Sequence, residues 1–545
     1  MSEKTIRRRQ FIQSVCAGVS ATALDWSAFP RGSSQASSGK AFDAVIIGAG
    51  LAGLSCAAGF ARQGFRPLVL EHHSKPGGYA TTFRRKDFVF DVSLHSTGVG
   101  ERNGAHNLIP GFPEITQVEF VSHPDLYRAI FPDHDIRVPQ KDPNRYVKML
   151  VESFPEEQAG IQGIFEDMRG LRADVGRLQT GGGRIDMNSF AQDYPYLSKS
   201  LGKTWGQMVD ARLKDAKLKA IVSSLWVYFG LPPSRLSPFY YAMPTYSYLQ
   251  GGGWYPRGKS QAISDALVAF IIERGGEVRL NTGVEQIQTK DHAAYGVRTA
   301  AGEEIQARVV VSNANAPDTF RKMMKEGEFL ADYLKTLDTY SVSLSSFQVF
   351  LGLKQDLVGR SGLKDSEIFY YPGYDFDESY EAIQKADMER SGFALTVYDN
   401  LYRGYSPAGK NTMNLLTLQG YGPWEEYEAD YFKGKKQEYR ARKKAMADRL
   451  IDEAEKRVLP GIRDAIEVIE IGTPLTNVRY TRNYRGAVYG WDQTLNNTGR
   501  TRVGHKTPIK NLYLAGAWST PGHGYGAVIP SGLSCFGEIM KEWKS

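Results

Sequence analysis

Three glycines in the run Gly48-Ala49-Gly50-Leu51-Ala52-Gly53 stand at spacings that could bring a main chain up against a phosphate. Gly48 permits a tight turn, Gly50 lets the backbone approach a pyrophosphate, and Gly53 lets the next helix lie close on its strand. Leu51 and Ala52 open that helix, whose free N–H groups face the phosphate charge. Glu71 follows 23 residues after Gly48. A carboxylate at that distance accepts hydrogen bonds from ribose hydroxyls and disfavours a 2′-phosphate. The chemistry these positions predict is dinucleotide binding.

Positioning them requires a strand, a turn, a helix and a second strand. Residues 42 to 47, Phe-Asp-Ala-Val-Ile-Ile, form the continuous apolar run of a parallel strand buried on both faces. Small residues from 54 to 63 predict the helix, and Pro67-Leu68-Val69-Leu70 predicts the second strand, ending at Glu71.

Further glycine signatures lie far from this one. Lys75-Pro76-Gly77-Gly78-Tyr79-Ala80-Thr81-Thr82-Phe83 precedes an extended stretch, Phe88 through His95, that contains Asp91. Gly77 and Gly78 let the backbone pass where a Cβ would collide with a bound group. Near the other end, Asn511-Leu512-Tyr513-Leu514-Ala515-Gly516-Ala517 runs into Pro521-Gly522-His523-Gly524-Tyr525-Gly526-Ala527-Val528 and a small-residue helix over 530 to 539. Between them stand Gly251 to Gly258, a helix over 262 to 274, Val284-Glu285-Gln286-Ile287 and a strand over 309 to 314.

These blocks resemble those of phytoene desaturases, carotenoid isomerases and retinol saturases, in the flavin superfamily that includes amine oxidases. So does Thr473-Pro474-Leu475-Thr476, followed by Arg482 and the glycines at 486 and 490. The resemblance runs from residue 42 to 540 and implies FAD as cofactor. It implies an α/β fold: a Rossmann-like FAD domain, discontinuous in sequence, with an α+β substrate domain inserted. It places Thr81 near the cofactor, Val284 against the adenine, and Gly516, Ala517, Gly526, Ala527 and Val528 near the flavin ring. Ala517 stands where many flavoproteins carry an acid, as in the carotenoid branch. Lys259 stands where the family has a second glycine after Gly258. His95, His523 and Tyr525 lie in stretches that converge on the flavin, which makes them the candidate proton-handling groups beside hydride exchange at flavin N5.

At 545 residues the chain exceeds one compact core. FAD segments are expected at 41–125, 250–325 and 470–545, and the substrate domain at 126–249 and 326–469. Ten aromatic residues between Trp226 and Tyr255 would suit either a core or a wall for a hydrophobic, polyene-like substrate. Residues 424–458 mix acids and bases and read as a solvated helix, with peripheral membrane contact through its basic face as the alternative. A net charge of +7, reduced to +4 without residues 1–36, lacks aromatic-flanked basic repeats and gives no case for nucleic acid. Cys56 and Cys535 are far apart in sequence and match no metal spacing, so no metal is expected.

The start, Ile6-Arg7-Arg8-Arg9-Gln10-Phe11-Ile12-Gln13, resembles a twin-arginine export signal. A weakly apolar stretch and Ser34-Gln35-Ala36, a small-x-small cleavage site, follow it. The expectation is a leader over 1–36, passage through the bacterial twin-arginine machinery and a periplasmic enzyme. Within the resemblance, desaturation, saturation and cis/trans isomerisation of a polyene or unsaturated lipid stay open. An amine oxidase and a non-catalytic FAD-binding lipid carrier are the alternatives.

Overall fold

The computed structural model describes residues 26, 29–31, 41–98, 112–180, 186, 188–325, 327–498 and 501–544. The leader expected over 1–36 lies outside the described residues, except for Trp26 and 29–31. Trp26 stacks on Phe536 at 5.8 Å and lies under the Arg62 guanidinium at 4.1 Å.

Two sheets form the frame. In the first, Glu277–Arg279, Pro67–Leu70, Phe42–Ile47, Glu304–Ser312 and Leu512–Leu514 run parallel in that spatial order. Ala293–Thr299 and Val284–Lys290 continue antiparallel from the near half of Glu304–Ser312. Residues on the Phe42–Ile47 strand alternate between two apolar layers, as period-two side chains must. Ala44 and Ile46 face the helices Leu51–Arg62, Lys259–Glu273 and Tyr525–Lys544, while Val45 and Ile47 face Phe320, Trp491 and Trp518. Cys56 and Cys535 are buried free thiols between two of those helices.

The second sheet is mixed, in the order Ile466–Gly472, Ser345–Leu353, Asn411–Gln419, Phe393–Val397, Glu367–Tyr370, Tyr127–Ile130, Asp135–Val138. Its edge strand runs to Gly472, two residues past the start expected for the last FAD segment at 470. One face carries the helices Gly422–Phe432 and Gln437–Arg457. The single helix expected over 424–458 is thus two, broken at Gly434, whose φ of +85° a helix cannot continue through. Nor is it solvated all round, because Tyr439, Met446, Leu450, Ile451 and Ala454 are buried.

The helical layer that includes Pro238–Gly251 packs near the other end of this sheet. That helix divides the aromatic cluster. Tyr240, Met243, Pro244, Ser247 and Tyr248, at i, i+3, i+4, i+7 and i+8, line a cavity, whereas Tyr241, Ala242, Tyr246 and Leu249 fill the core. No helix among the described residues is long and apolar enough to cross a membrane.

Candidate active site

The glycine signatures meet in space. Gly77 N–H donates to the Ala49 carbonyl at 2.7 Å, and Gly50 and Gly77 form a parallel bridge, so the second signature rests on the first. Gly77 has φ +119°, and a Cβ there would lie 2.1 Å from the Ala80 carbonyl oxygen. A Cβ at Gly53 would lie 2.2 Å from the Gly48 carbonyl oxygen, which is why the helix can start so close to its strand. Asn313, at the end of its strand, wedges between the two ends of the site: its amide stands 2.7 Å from a Cβ built at Gly50 and 2.9 Å from one built at Gly516.

Glu71 is 6% exposed and is fixed by backbone N–H groups, Ala49 donating to Oε2 and His73 to Oε1, both at 2.8 Å. Each oxygen keeps a lone pair for a hydroxyl. Val284 lines the cavity beside Glu71 and His72. Thr81 also lines it, and its hydroxyl donates to Gln261 Oε1 at 2.7 Å, which ties the glycine pair to the helix Lys259–Glu273. Lys259 holds a left-handed turn at φ +62°, with its ammonium 3.9 Å from the centre of the Tyr405 ring.

At the C-terminal end, Gly516, Ala517, Gly526, Ala527 and Val528 line the same cavity. Gly516 N–H donates to Ser531 Oγ at 2.9 Å. Arg502 has no motif to announce it, yet it clasps this loop. It is 3% exposed and donates to the carbonyls of Ala517 at 2.6 Å and Ser519 at 2.9 Å and to Gln493 Oε1 at 3.0 Å.

The three candidate proton carriers all reach the cavity, in unequal settings. His523 is tied at both nitrogens. Its Nε2–H donates to the Tyr228 carbonyl at 3.2 Å and Nδ1 accepts from Gln493 Nε2 at 3.1 Å. Burial, then the charge of Arg502, pulls its pKa down to about 3. Burial pushes the Tyr525 phenol far up, so it stays neutral.

His95 is different. Its Nδ1 hydrogen-bonds the Thr396 hydroxyl, while Nε2 is buried without a partner among the described residues. Burial lowers its pKa to about 4. Beyond Thr396 lies Glu367, which no sequence motif marks. Thr396 Oγ1 donates to Glu367 Oε2 at 2.9 Å, and Glu367 Oε1 is buried without a partner among the described residues. Burial raises the Glu367 pKa to about 8, the Thr396 bond opposing it. His95, Thr396 and Glu367 therefore bridge the first sheet's unit to the second sheet.

The cavity lined by the glycine motifs, Glu71, His95, Glu367, His523 and Tyr525 measures about 2120 Å³, twice the upper end of ordinary small-molecule pockets of about 300–1,000 Å³. One part is the glycine-lined cleft. The other is a chamber walled by Tyr228, Phe229, Tyr248, Phe369, Tyr371 and Leu416. The glycine cradle, which added Cβ atoms would block, and the anchored Glu71 fit the ADP half of FAD. At the other end, a Cβ at Gly526 would meet nothing within 4 Å, leaving room for the ring. No group of three or more metal-binding side chains is present among the described residues.

A parallel-sheet dinucleotide cradle opening into an apolar chamber fits an oxidoreductase that works with a dinucleotide cofactor. Residues 51–535 match the family described as flavin containing amine oxidoreductase, and the chain belongs to that family. It is 28% identical over 517 residues to an all-trans-retinol 13,14-reductase of Danio rerio, covering 87% of this chain and 82% of the relative. It is 24% identical over 506 residues to a chloroplastic prolycopene isomerase of Daucus carota, covering 91% and 79%. The fold matches that of an oxidoreductase from Methanosarcina mazei with a TM-score of 0.60 at 17% identity, covering 90% of this chain and 99% of that one. FAD is the cofactor, and when bound it supplies two-electron hydride chemistry.

Proposed function

We propose that this FAD-dependent oxidoreductase acts on carbon–carbon bonds of a hydrophobic polyene, isoprenoid or unsaturated lipid substrate, by desaturation, saturation or isomerisation. The observation that carries the reading is the aromatic chamber continuous with the cofactor cleft. Aromatic walls give a long apolar chain large contact area at little rotamer cost. Burial raises the pKa of the chamber's acid, Glu367, to about 8, so no carboxylate counter-charge for an ammonium is preset there. The relatives whose names specify retinol and prolycopene support the same substrate class. The test is product analysis after incubating the loaded enzyme with polyenes and amines. Changed double bonds in a polyene sustain the reading, and aldehyde formed from an amine contradicts it.

Phe432 and Tyr480 are exposed where they border the cavity, beside Lys436, Arg440 and Arg479, which suits delivery of substrate from an anionic lipid surface. The basic groups are close enough that Arg479 and Arg440 help lower the Lys436 pKa, behind its burial. Arg7-Arg8-Arg9-Gln10-Phe11-Ile12 supports export through the twin-arginine machinery to the periplasm. Cell fractionation should find the wild type outside the cytoplasm and a variant with Arg7, Arg8 and Arg9 all changed to Lys inside it. Equal distribution of the two contradicts export.

A further inference from the structure

We propose that Glu367 is the group that gives a proton to the substrate carbon, or takes one from it, while hydride is exchanged with the flavin, and that Thr396 and His95 conduct that proton. The inference rests on the carbon–carbon chemistry proposed above.

Geometry sets Glu367 apart from the other acids. It opens the strand Glu367–Tyr370, directly paired with Thr396 on the neighbouring strand. Its side chain is fully buried, and it lines the cavity together with Phe369 and Tyr371 of the same face. A bare carboxylate oxygen in such a place has lost its hydration without gaining a partner, which disfavours the charged form. A glutamine would accept the same bond from Thr396 without that cost. An ionisable group on a cavity-lining residue, with one oxygen buried and unpartnered among the described residues, is thus suited to hold and release a proton.

The bonding directions form one chain. Thr396 donates its hydroxyl to Glu367 Oε2, so it accepts from His95 Nδ1–H, and His95 Nε2 is left as a bare acceptor. The proton on Glu367 then sits on Oε1. In the saturating direction the Oε1–H bond breaks, and the alkene π pair forms a C–H bond with that proton at one carbon. The other carbon takes hydride from the reduced flavin as co-reactant, so the alkene is reduced by two electrons and the flavin is oxidised by two. Glu367, now a carboxylate, regains a proton at Oε2 from Thr396, which draws one from His95 Nδ1 while Nε2 takes one from water; a half-turn of the carboxyl then exchanges its two oxygens, and exchange of the imidazole protons with water restores Nδ1–H and the starting bonds. Desaturation runs the same steps backwards.

The titratable groups facing Glu367 are His95, with Nδ1 3.9 Å from Oε2, and Tyr228, Tyr248, Tyr371 and Tyr398, with His123 next to His95. The tyrosines are all shifted upward and both histidines downward by burial, so they stay neutral from pH 6 to 9. Among the described residues no lysine or arginine forms an ion pair with Glu367. A pH limb near 8 that disappears in Glu367→Gln therefore belongs to Glu367.

The test compares wild type with Glu367→Gln, FAD-loaded and anaerobic. Polyene-dependent change in flavin redox state is followed by stopped flow from pH 6 to 9, and the protonated-carboxyl band by infrared difference spectroscopy. In the saturating direction, wild type should slow as pH rises through about 8 and show a carboxyl band that disappears over the same range. Glu367→Gln should load FAD and bind polyene as wild type does, judged by the bound flavin spectrum. It should react about 10²–10⁴-fold more slowly, without that limb or band. Thr396→Val should keep the first proton transfer within about threefold but slow repeated turnover. A Glu367→Gln rate within threefold of wild type, or a wild-type carboxyl already ionised at pH 6, overturns the proposal. A wild-type flavin indifferent to every polyene, with no double bond changed in the recovered polyene, overturns the substrate reading and this inference together, whereas an unaffected Glu367→Gln on a reacting wild type overturns this one alone.

Discussion

Glu367 and the buried histidines shift stability in opposite directions along the pH scale. The Glu367 pKa rises from 4.5 to about 8 on folding, so the unfolded chain loses that proton first. Its contribution is fully present below 4.5 and is lost as pH climbs through 8. For His95 and His523, lowered from 6.5 to about 4 and about 3, stability is present above 6.5 and lost as pH falls. Glu367→Gln should therefore melt above wild type at pH 9, by roughly 2–5 °C, and the gap should close by pH 5. Melting curves at the two pH values check this, and a gap equal at both, or reversed at pH 9, would count against a buried, protonated carboxyl. Sequence reveals only some of these residues. His95, His523 and Tyr525 are visible because glycine motifs flank them. Glu367 begins an ordinary strand, Glu-Ile-Phe-Tyr, and lies 272 residues beyond His95. Only sheet register brings it to Thr396, and nothing local in the sequence encodes that.

Among elements, the turn between the strand Phe42–Ile47 and the helix Leu51–Arg62 carries the cofactor claim. A methyl at Gly50 would stand 2.7 Å from the Asn313 amide and occupy the approach to the pyrophosphate. Gly50→Ala is expected to keep the secondary structure of wild type and lower FAD occupancy at least tenfold. Absorbance ratios of the purified protein, with circular dichroism as control, measure this, and normal occupancy would refute the assigned phosphate position. These elements are legible because apolar runs and glycine spacing are local signals. Composition does not resolve the aromatic stretch from Trp226 to Tyr255, since a ring suits a core and a cavity wall equally. Helical periodicity in Pro238–Gly251 separates the two faces once the helix is known. The break at Gly434 is masked in the sequence because charges continue across it. Lys259 holds its left-handed turn without the glycine that would normally allow it.

For the whole molecule, two sheets built from interleaved segments meet at one cavity, and neither alone makes the site. The fold class is readable because the first glycine block carries a dinucleotide fingerprint and the blocks at Gly77-Gly78 and 516–526 resemble those of the flavin superfamily, and all three line one cavity. How the chamber joins that cradle is not, because it depends on contacts between residues hundreds of positions apart, such as Tyr228 with His523. The central claim is that the cradle holds FAD and the chamber presents a polyene to it. The measurement that tests it most directly is the absorption of the bound flavin, in its oxidised and reduced states, on anaerobic addition of polyenes and of amines. At least one polyene is expected to bleach the oxidised flavin or restore the reduced one, and amines are expected to do neither. Bleaching by an amine with no response to any polyene would contradict the claim.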